Sequence, residues 1–443
     1  MKNKLAFVLV LLMLLALGVL AGSLVYSTII LASVVNWVLV REWIPLASYT
    51  LIGIVVVVTI YFAVRFVEQS RMYRLPEASV RNPLPMTIII PTLNEERTIG
   101  QCVASIMKAN YPHDRLEVII APEVRPKCRD STPEIAAAIS RKYPCVKVIP
   151  NEGPHAGSKA GSINNSLAHA TGQIIAIYDA DHTIDKNALI RASAEFTMDP
   201  ELDCIGGKVM VRNMDYNLFT AITGNESTVL NNFSRFISDF LTGNHSIYGS
   251  NVFLRKTVFD RIGGFDESSL TEDCDLGMKL IRKNCHMRID YTIKSYEQPA
   301  LGPRDWWHQR VRWTRGSMGV LRKHLKQSAK ERINLKTLNT ILLYSLSTGG
   351  LLFSVILMGF LGFMLYVNVV PPVILIALVL PLAILFAAES ILQLEEGRGS
   401  ISDILLSIFV RPWIIFAYSL IGVYSVVLEV LDAERDWVEN KRI

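Results

Sequence analysis

Two kinds of hydrophobic patterning alternate along the chain. Before Arg65 and after Leu338 the apolar residues run almost unbroken, whereas the middle alternates short apolar runs with stretches of helical spacing. In that middle, Met86–Pro91, Leu116–Ala121, Val146–Pro150 and Ile174–Tyr178 read as strands. Glu95–Met107, Lys159–His169 and Lys186–Phe196 read as helices. Strands separated by helices of roughly 10–15 residues predict an open α/β sheet. Such sheets bind ligands beyond the carboxyl ends of their strands, so polar residues just after each strand are the candidates for chemistry.

The flanks predict membrane helices. Leu5–Val40 would run about 54 Å as one helix, against a hydrocarbon core of about 30 Å. One crossing over Leu5–Val25, extended to Val40, fits better, and a second spans Pro45–Phe66. A signal peptide would explain Lys2 and Lys4, but the apolar core is too long and no clean cleavage site follows. Three further crossings are expected at Leu338–Tyr366, Val369–Ala388 and Ile401–Leu431. Arg411-Pro412 interrupts the last, separating a short interfacial helix from a crossing that begins near Trp413.

Composition agrees. Of 443 residues, 51% are hydrophobic and 19% charged, below the roughly 25% charged of a soluble domain, which argues against a soluble cytoplasmic protein and against disorder. A net charge of +5 is too small to imply nucleic acid. Its placement says more: Arg304 to Lys336 holds ten Lys or Arg against Asp305 and Glu331, which marks the cytoplasmic side of the adjoining apolar run. The six cysteines lie in the middle without Cys-x-x-Cys spacing, as expected of free thiols in a reducing compartment.

Four polar clusters stand where a ligand would bind. Thr92-Leu93-Asn94-Glu95 follows the first strand; Asn94 suits a helix cap, and Thr92 and Asn94 suit a nucleotide. Tyr178-Asp179-Ala180-Asp181-His182 presents two carboxylates one residue apart, which fits either a divalent cation or a solvated turn. His182 reads as a turn residue, since no second imidazole is near in sequence. Thr271-Glu272-Asp273 opens a helix, where acids complement the dipole or act as a base. Gln309-Arg310-Val311-Arg312-Trp313, after Trp306 and Trp307, offers guanidinium forks to a diphosphate and indole faces to sugars, or anchors an interfacial helix. The small-residue loop His155–Asn164 lacks the Walker spacing, which disfavours a P-loop NTPase, while Lys159 could meet a phosphate charge.

Together these residues resemble a membrane-integrated family 2 glycosyltransferase with the GT-A fold, like the cellulose, chitin and hyaluronan synthases. The resemblance implies an α/β, GT-A type cytoplasmic glycosyltransferase domain inserted between transmembrane α-helices. Its divisions are 1–70 with two crossings, a catalytic domain over 71–299, an amphipathic interface region over 300–337, and 338–443 with three crossings. It implies a Mg²⁺ or Mn²⁺ ion on Asp181 and Asp179, and Asp273 as general base with Glu272 beside it. Thr92, Asn94, Glu95, Lys159, Gln309, Arg312 and Trp313 would contact the nucleotide sugar, a UDP-sugar, and Arg312 would also act in catalysis. One departure stands out. Family members carry an Asp-Asp pair after the second strand, where this chain has Pro122-Glu123, so Glu123 would take that role.

The implied reaction is inverting transfer from a nucleoside-diphosphate sugar to a growing β-linked polysaccharide, with coupled translocation through a multi-pass protein of the cell membrane. A lipid-directed glycosyltransferase is the alternative. A noncatalytic membrane scaffold or transport subunit is a third, resting on the altered Pro122-Glu123 site. Expected partners are the donor, a glycan or lipid acceptor and membrane lipids, but no nucleic acid.

Overall fold

The computed structural model describes residues 82–224, 226, 235, 247–330, 372–395 and 400–431, with 53, 57, 59–65 and 67. The chain divides into two compact units, one drawn from 68–348 and the other from 1–67 and 349–435.

The first unit is built on an eight-stranded sheet ordered β3-β2-β1-β4-β7-β6-β8-β5. β1 (Met86–Thr92), β2 (Leu116–Pro122), β3 (Val146–Val148) and β4 (Ile174–Ile177) are mutually parallel. Their continuous Ile/Val runs are those of strands covered on both faces, and every residue of β1, β2 and β4 is buried. Alternation divides them. Ile88 and Ile90 face one apolar cluster with α1 (Ile99–Met107), α2 (Thr132–Lys142) and α4 (Ala188–Met198). Ile89 faces the other with α3 (Lys159–Leu167), α6 (Val258–Ile262) and α7 (Glu272–Arg282). A short helix, α5, covers Leu218–Thr223.

The far half of the sheet departs from the parallel pattern. β7 (Val252–Arg255) runs antiparallel to β4 and to β6 (Cys204–Val211), β6 pairs in parallel with β8 (Met287–Glu297), and β5 (Thr183–Ile184) closes the edge. The expected helix from Glu95 begins at Ile99 instead. Asn94 takes a left-handed backbone with φ 55° and its Oδ1 accepts from the Arg129 N–H, so it does not cap α1; Thr98 holds the cap position. The long helix α8 (Pro303–Lys330) carries the Gln-x-x-Arg-Trp segment.

In the second unit, α9 (Pro372–Glu395), α10 (Ile401–Phe409) and α11 (Ile414–Val430) are described, with a 3₁₀ turn at Arg411–Trp413 where the sequence breaks the last apolar run. The expectation of membrane crossings is corrected here: among the described residues, no helix is long and apolar enough to cross a membrane. α10 and α11, of 9 and 17 residues, reach only about 14 and 26 Å. α9 contains Pro381 and buries Glu389, Ser390 and Gln393. Arg411 there donates to Ser390 Oγ and Ser407 Oγ at 3.2 and 2.6 Å and pairs with Asp403 at 3.1 Å. The described residues therefore do not contain the bilayer helices expected of a multi-pass, membrane-integrated protein with its domain inserted between them. The crossings expected at Leu5–Val25 and Leu338–Tyr366 lie outside the described residues, as does most of Pro45–Phe66.

Candidate active site

Parallel strands β1, β2 and β4 end at the same edge of the sheet, and a cavity of about 410 Å³ opens there. Thr92, Asn94, Glu95, Glu123, Lys159, Asp179, Asp181, Glu272, Asp273, Gln309, Arg312 and Trp313 all line it. The sheet supplies the first group, the N-terminus of α3 supplies Lys159, α7 begins at Glu272, and one face of α8 supplies the last three. Gln309, Arg312 and Trp313 fall three and four residues apart, the spacing that puts helical side chains on one side.

Lys159 is the electrostatic centre. Its ammonium lies 2.6 Å from Asp179 Oδ1 and 3.1 Å from Glu272 Oε1, and donates to the Gly249 carbonyl at 3.1 Å. Burial alone would push Lys159 down, but the charges of Asp179 and Glu272 overcome it and hold the ammonium well above its ordinary range. Asp273 goes the other way for a carboxyl. Burial, reinforced by Glu272, pushes it up to about 6 against the opposing pull of Lys159. Its Oδ1 accepts from the Cys274 N–H at 2.8 Å. Burial also lowers Arg312, while Glu272, Asp273 and Asp179 act in the opposite sense.

Asp179, Asp181 and His182 bring one ligand atom each within 4.8 Å of one another. Two carboxylates at a turning strand end suit a hard divalent cation such as Mg²⁺ or Mn²⁺, and an imidazole is compatible with Mn²⁺. His182 thus stands with the acids, which its sequence context did not suggest; its Nδ1 lies 3.1 Å from Ser295 Oγ and its Nε2 3.8 Å from Glu297. Glu123 lines the cavity with both oxygens engaged, by Asn151 Nδ2 at 2.5 Å, the Gly157 N–H at 3.0 and 3.1 Å, and Ser162 Oγ at 3.2 Å. It cinches the loop before α3 onto the end of β2.

Tyr248-Gly249-Ser250-Asn251 also reaches the cavity edge and escapes the sequence reading. Tyr248, Gly249 and Ser250 line the space, and Ser250 Oγ accepts from the Asp179 N–H at 3.1 Å. Asn251, at φ 56°, accepts from Tyr178 Oη at 2.8 Å and donates to the Lys208 and Ile293 carbonyls. A methyl group on Gly249 would sit 2.9 Å from Lys159 Nζ and 3.3 Å from Asp273 Oδ2, so a larger residue there would press on these side-chain ends. The missed signal is directional. β7 is antiparallel to β4, so the residues before it, not after it, reach the ligand edge.

The pattern of the family described as Glycosyl transferase family group 2 matches residues 174–388, a span that includes Asp179, Asp181, Asp273 and Arg312. The matched span also holds the acid cluster of Asp179, Asp181 and His182, so this part of the chain is similar to that family where a divalent cation could be held. Curated proteins are similar over a longer stretch of the chain. A probable glycosyltransferase YdaM of Bacillus subtilis is 30% identical over 263 residues, covering 59% of this chain and 60% of that one. A β-monoglucosyldiacylglycerol synthase of Synechocystis is 28% identical over 236 residues, covering 53% and 48%. A poly-β-1,6-N-acetyl-D-glucosamine synthase of Staphylococcus epidermidis is 26% identical over 260 residues, covering 56% and 58%. The chain thus spans about half to three fifths of the length of these relatives. Among solved structures, a mannosyltransferase from Pyrobaculum calidifontis, solved with GDP-Man and Mn²⁺, superposes with a TM-score of 0.58 at 16% identity, covering 88% of this chain and 98% of that one. That likeness shows a shared GT-A-like fold.

Proposed function

We propose that this protein transfers a sugar, with inversion, from a nucleoside-diphosphate sugar to a hydroxyl group of a growing β-linked polysaccharide. The observation that carries the reading is the meeting of Asp273, Glu272, Lys159 and Asp179 around Gly249, with Arg312 in the same cavity.

Each residue has work that follows from its surroundings. Asp179 and Asp181, with His182, would hold a divalent cation, which when bound neutralises a diphosphate. Arg312 adds a donor fork for negative charge that grows on the leaving diphosphate, where such donors are most effective. Asp273 takes the proton of the acceptor hydroxyl. Its raised proton affinity fits that task near neutral pH, and a positioned base contributes about 10²–10⁴-fold. Glu272 is engaged by Lys159, so it acts on Asp273 through its charge rather than as a second base. One base without a carboxylate nucleophile corresponds to direct displacement at the anomeric carbon, and hence to inversion. Thr92, Asn94, Glu95 and Glu123 form the wall at the ends of β1 and β2, suited to the nucleoside. Gln309 and Trp313, expected from the sequence to meet the nucleotide sugar, are assigned here to the acceptor side, because they share one face of α8 that walls the cavity.

The aromatic side chains of Trp313 and Tyr248 on the cavity wall favour a sugar acceptor over a bare lipid hydroxyl. A second reading, glycosylation of a lipid, is favoured by the similarity to the diacylglycerol-modifying synthase. The two separate in one assay. The purified full chain is incubated with Mn²⁺, individual radiolabelled nucleotide sugars, and either oligosaccharides or diacylglycerol dispersed in detergent. A long aqueous product is expected; a single sugar in the organic phase would select the second reading, and no transfer from any donor would sink both.

A further inference from the structure

Behind the cavity wall formed by α8 lies an ion pair that does not touch the cavity. Glu226, fully buried and three residues beyond α5, accepts from Arg310 Nε at 3.0 Å, Arg310 Nη2 at 2.7 Å and Trp306 Nε1 at 3.0 Å. Two parallel N–H donors on one carboxylate fix the guanidinium plane as well as its position. The guanidinium lies over the indole of Trp313, with Arg310 Cζ 4.2 Å from the ring centroid, and its Nη1 donates to Gln309 Oε1 at 2.5 Å. Arg310 therefore holds, from the protein side, both neighbours that face the cavity.

We infer that Glu226, acting through Arg310, is a positioning residue for Gln309 and Trp313, and that it sets the acceptor side of the site rather than the donor side. The inference rests on the glycosyl-transfer reading above. Three features support it. The carboxylate is shielded from solvent and, among the described residues, its three donors come from α8, so it fixes that helix face rather than balancing a distant charge. A guanidinium held over its face constrains an indole that would otherwise pivot about two side-chain torsions. The acids that would hold a cation, Asp179 and Asp181, line the cavity, whereas Glu226 and Arg310 do not, so donor binding can survive the loss of this pair. Displacement of a reacting partner by about 1 Å can cost about 10²-fold in rate, which is the scale on which a loosened Trp313 would register.

The test compares the full-length wild type with Glu226→Gln, Glu226→Asp and Arg310→Lys. UDP binding in the presence of Mn²⁺ is followed by calorimetry, and initial rates are measured with the donor and acceptor that the wild type uses. Glu226→Gln should lower kcat or raise the acceptor KM, together by about 10²-fold, with UDP affinity within twofold of wild type. Glu226→Asp, which keeps the charge, should recover most of the loss. Should Glu226→Gln fail to fold, Arg310→Lys serves instead: it keeps a cation for Glu226 but loses the flat guanidinium, and the same split is expected. Rates within twofold of wild type for the folded variant overturn the inference, as does an equal loss of UDP affinity. A wild type that binds UDP but transfers nothing counts against the glycosyl-transfer reading itself.

Discussion

At the scale of single residues, burial and charge are set against each other in the cavity. Lys159 and Asp273 share one small region around Gly249, and the same surroundings strengthen the proton affinity of both. For a base this has a visible consequence. As the proposed base, Asp273 would act deprotonated, and its carboxyl is pushed up to about 6, so kcat/KM should rise with pH through about 6 and level off above it. The linked stability effect has the opposite sign: a raised carboxyl costs stability above its folded pKa, and that cost fades as pH falls toward the unfolded value. A pH–rate profile at saturating Mn²⁺ checks the first claim; a rate flat from pH 5 to 8 would contradict it. Much of this site was readable because Asp179, Asp181, Glu272 and Asp273 crowd into short polar clusters beside apolar runs. Glu226 was not, since its partner lies 84 residues away and nothing local marks either as paired.

At the scale of elements, α7 and α8 hold the acid and arginine walls together, and a buried charge cluster joins them. Asp275 is fully buried, 2.5 Å from Lys323, 2.9 Å from His324 and 3.4 Å from Lys279. Burial alone would raise its pKa, but His324 and Lys323 hold the carboxyl below its ordinary value, so its stabilisation is present above the unfolded pKa and lost as pH falls through the folded one. Removing one partner of such a pair costs about 3 kcal/mol. Asp275→Asn should therefore lower the thermal midpoint of the domain by roughly 5–10 °C at pH 7, and a midpoint within a degree of wild type would show that the cluster does not brace the helices. β1, β2 and β4 were legible because strands covered on both faces are uninterrupted in their hydrophobicity. The far half of the sheet was not. β6 passes through Gly206-Gly207 where its register shifts, and β7 is only four residues long with its ligand-facing end reversed.

At the scale of the whole molecule, the apolar flanks illustrate where pattern stops being informative. Ile401–Leu431 reads as one long apolar stretch, yet Arg411 is fully buried on Ser390, Ser407 and Asp403, and the chain turns there into two short helices. Hydropathy counts apolar side chains without registering such a network. The catalytic account depends on the sheet edge alone, and its central claim is that Asp273 removes the acceptor proton beside a donor held elsewhere in the cavity. Asp273→Asn is nearly isosteric, so transfer and UDP–Mn²⁺ binding measured on the same purified protein test that claim most directly. Transfer should fall by about 10²–10⁴-fold with UDP–Mn²⁺ affinity within a fewfold of wild type. Transfer at the wild-type rate would contradict it.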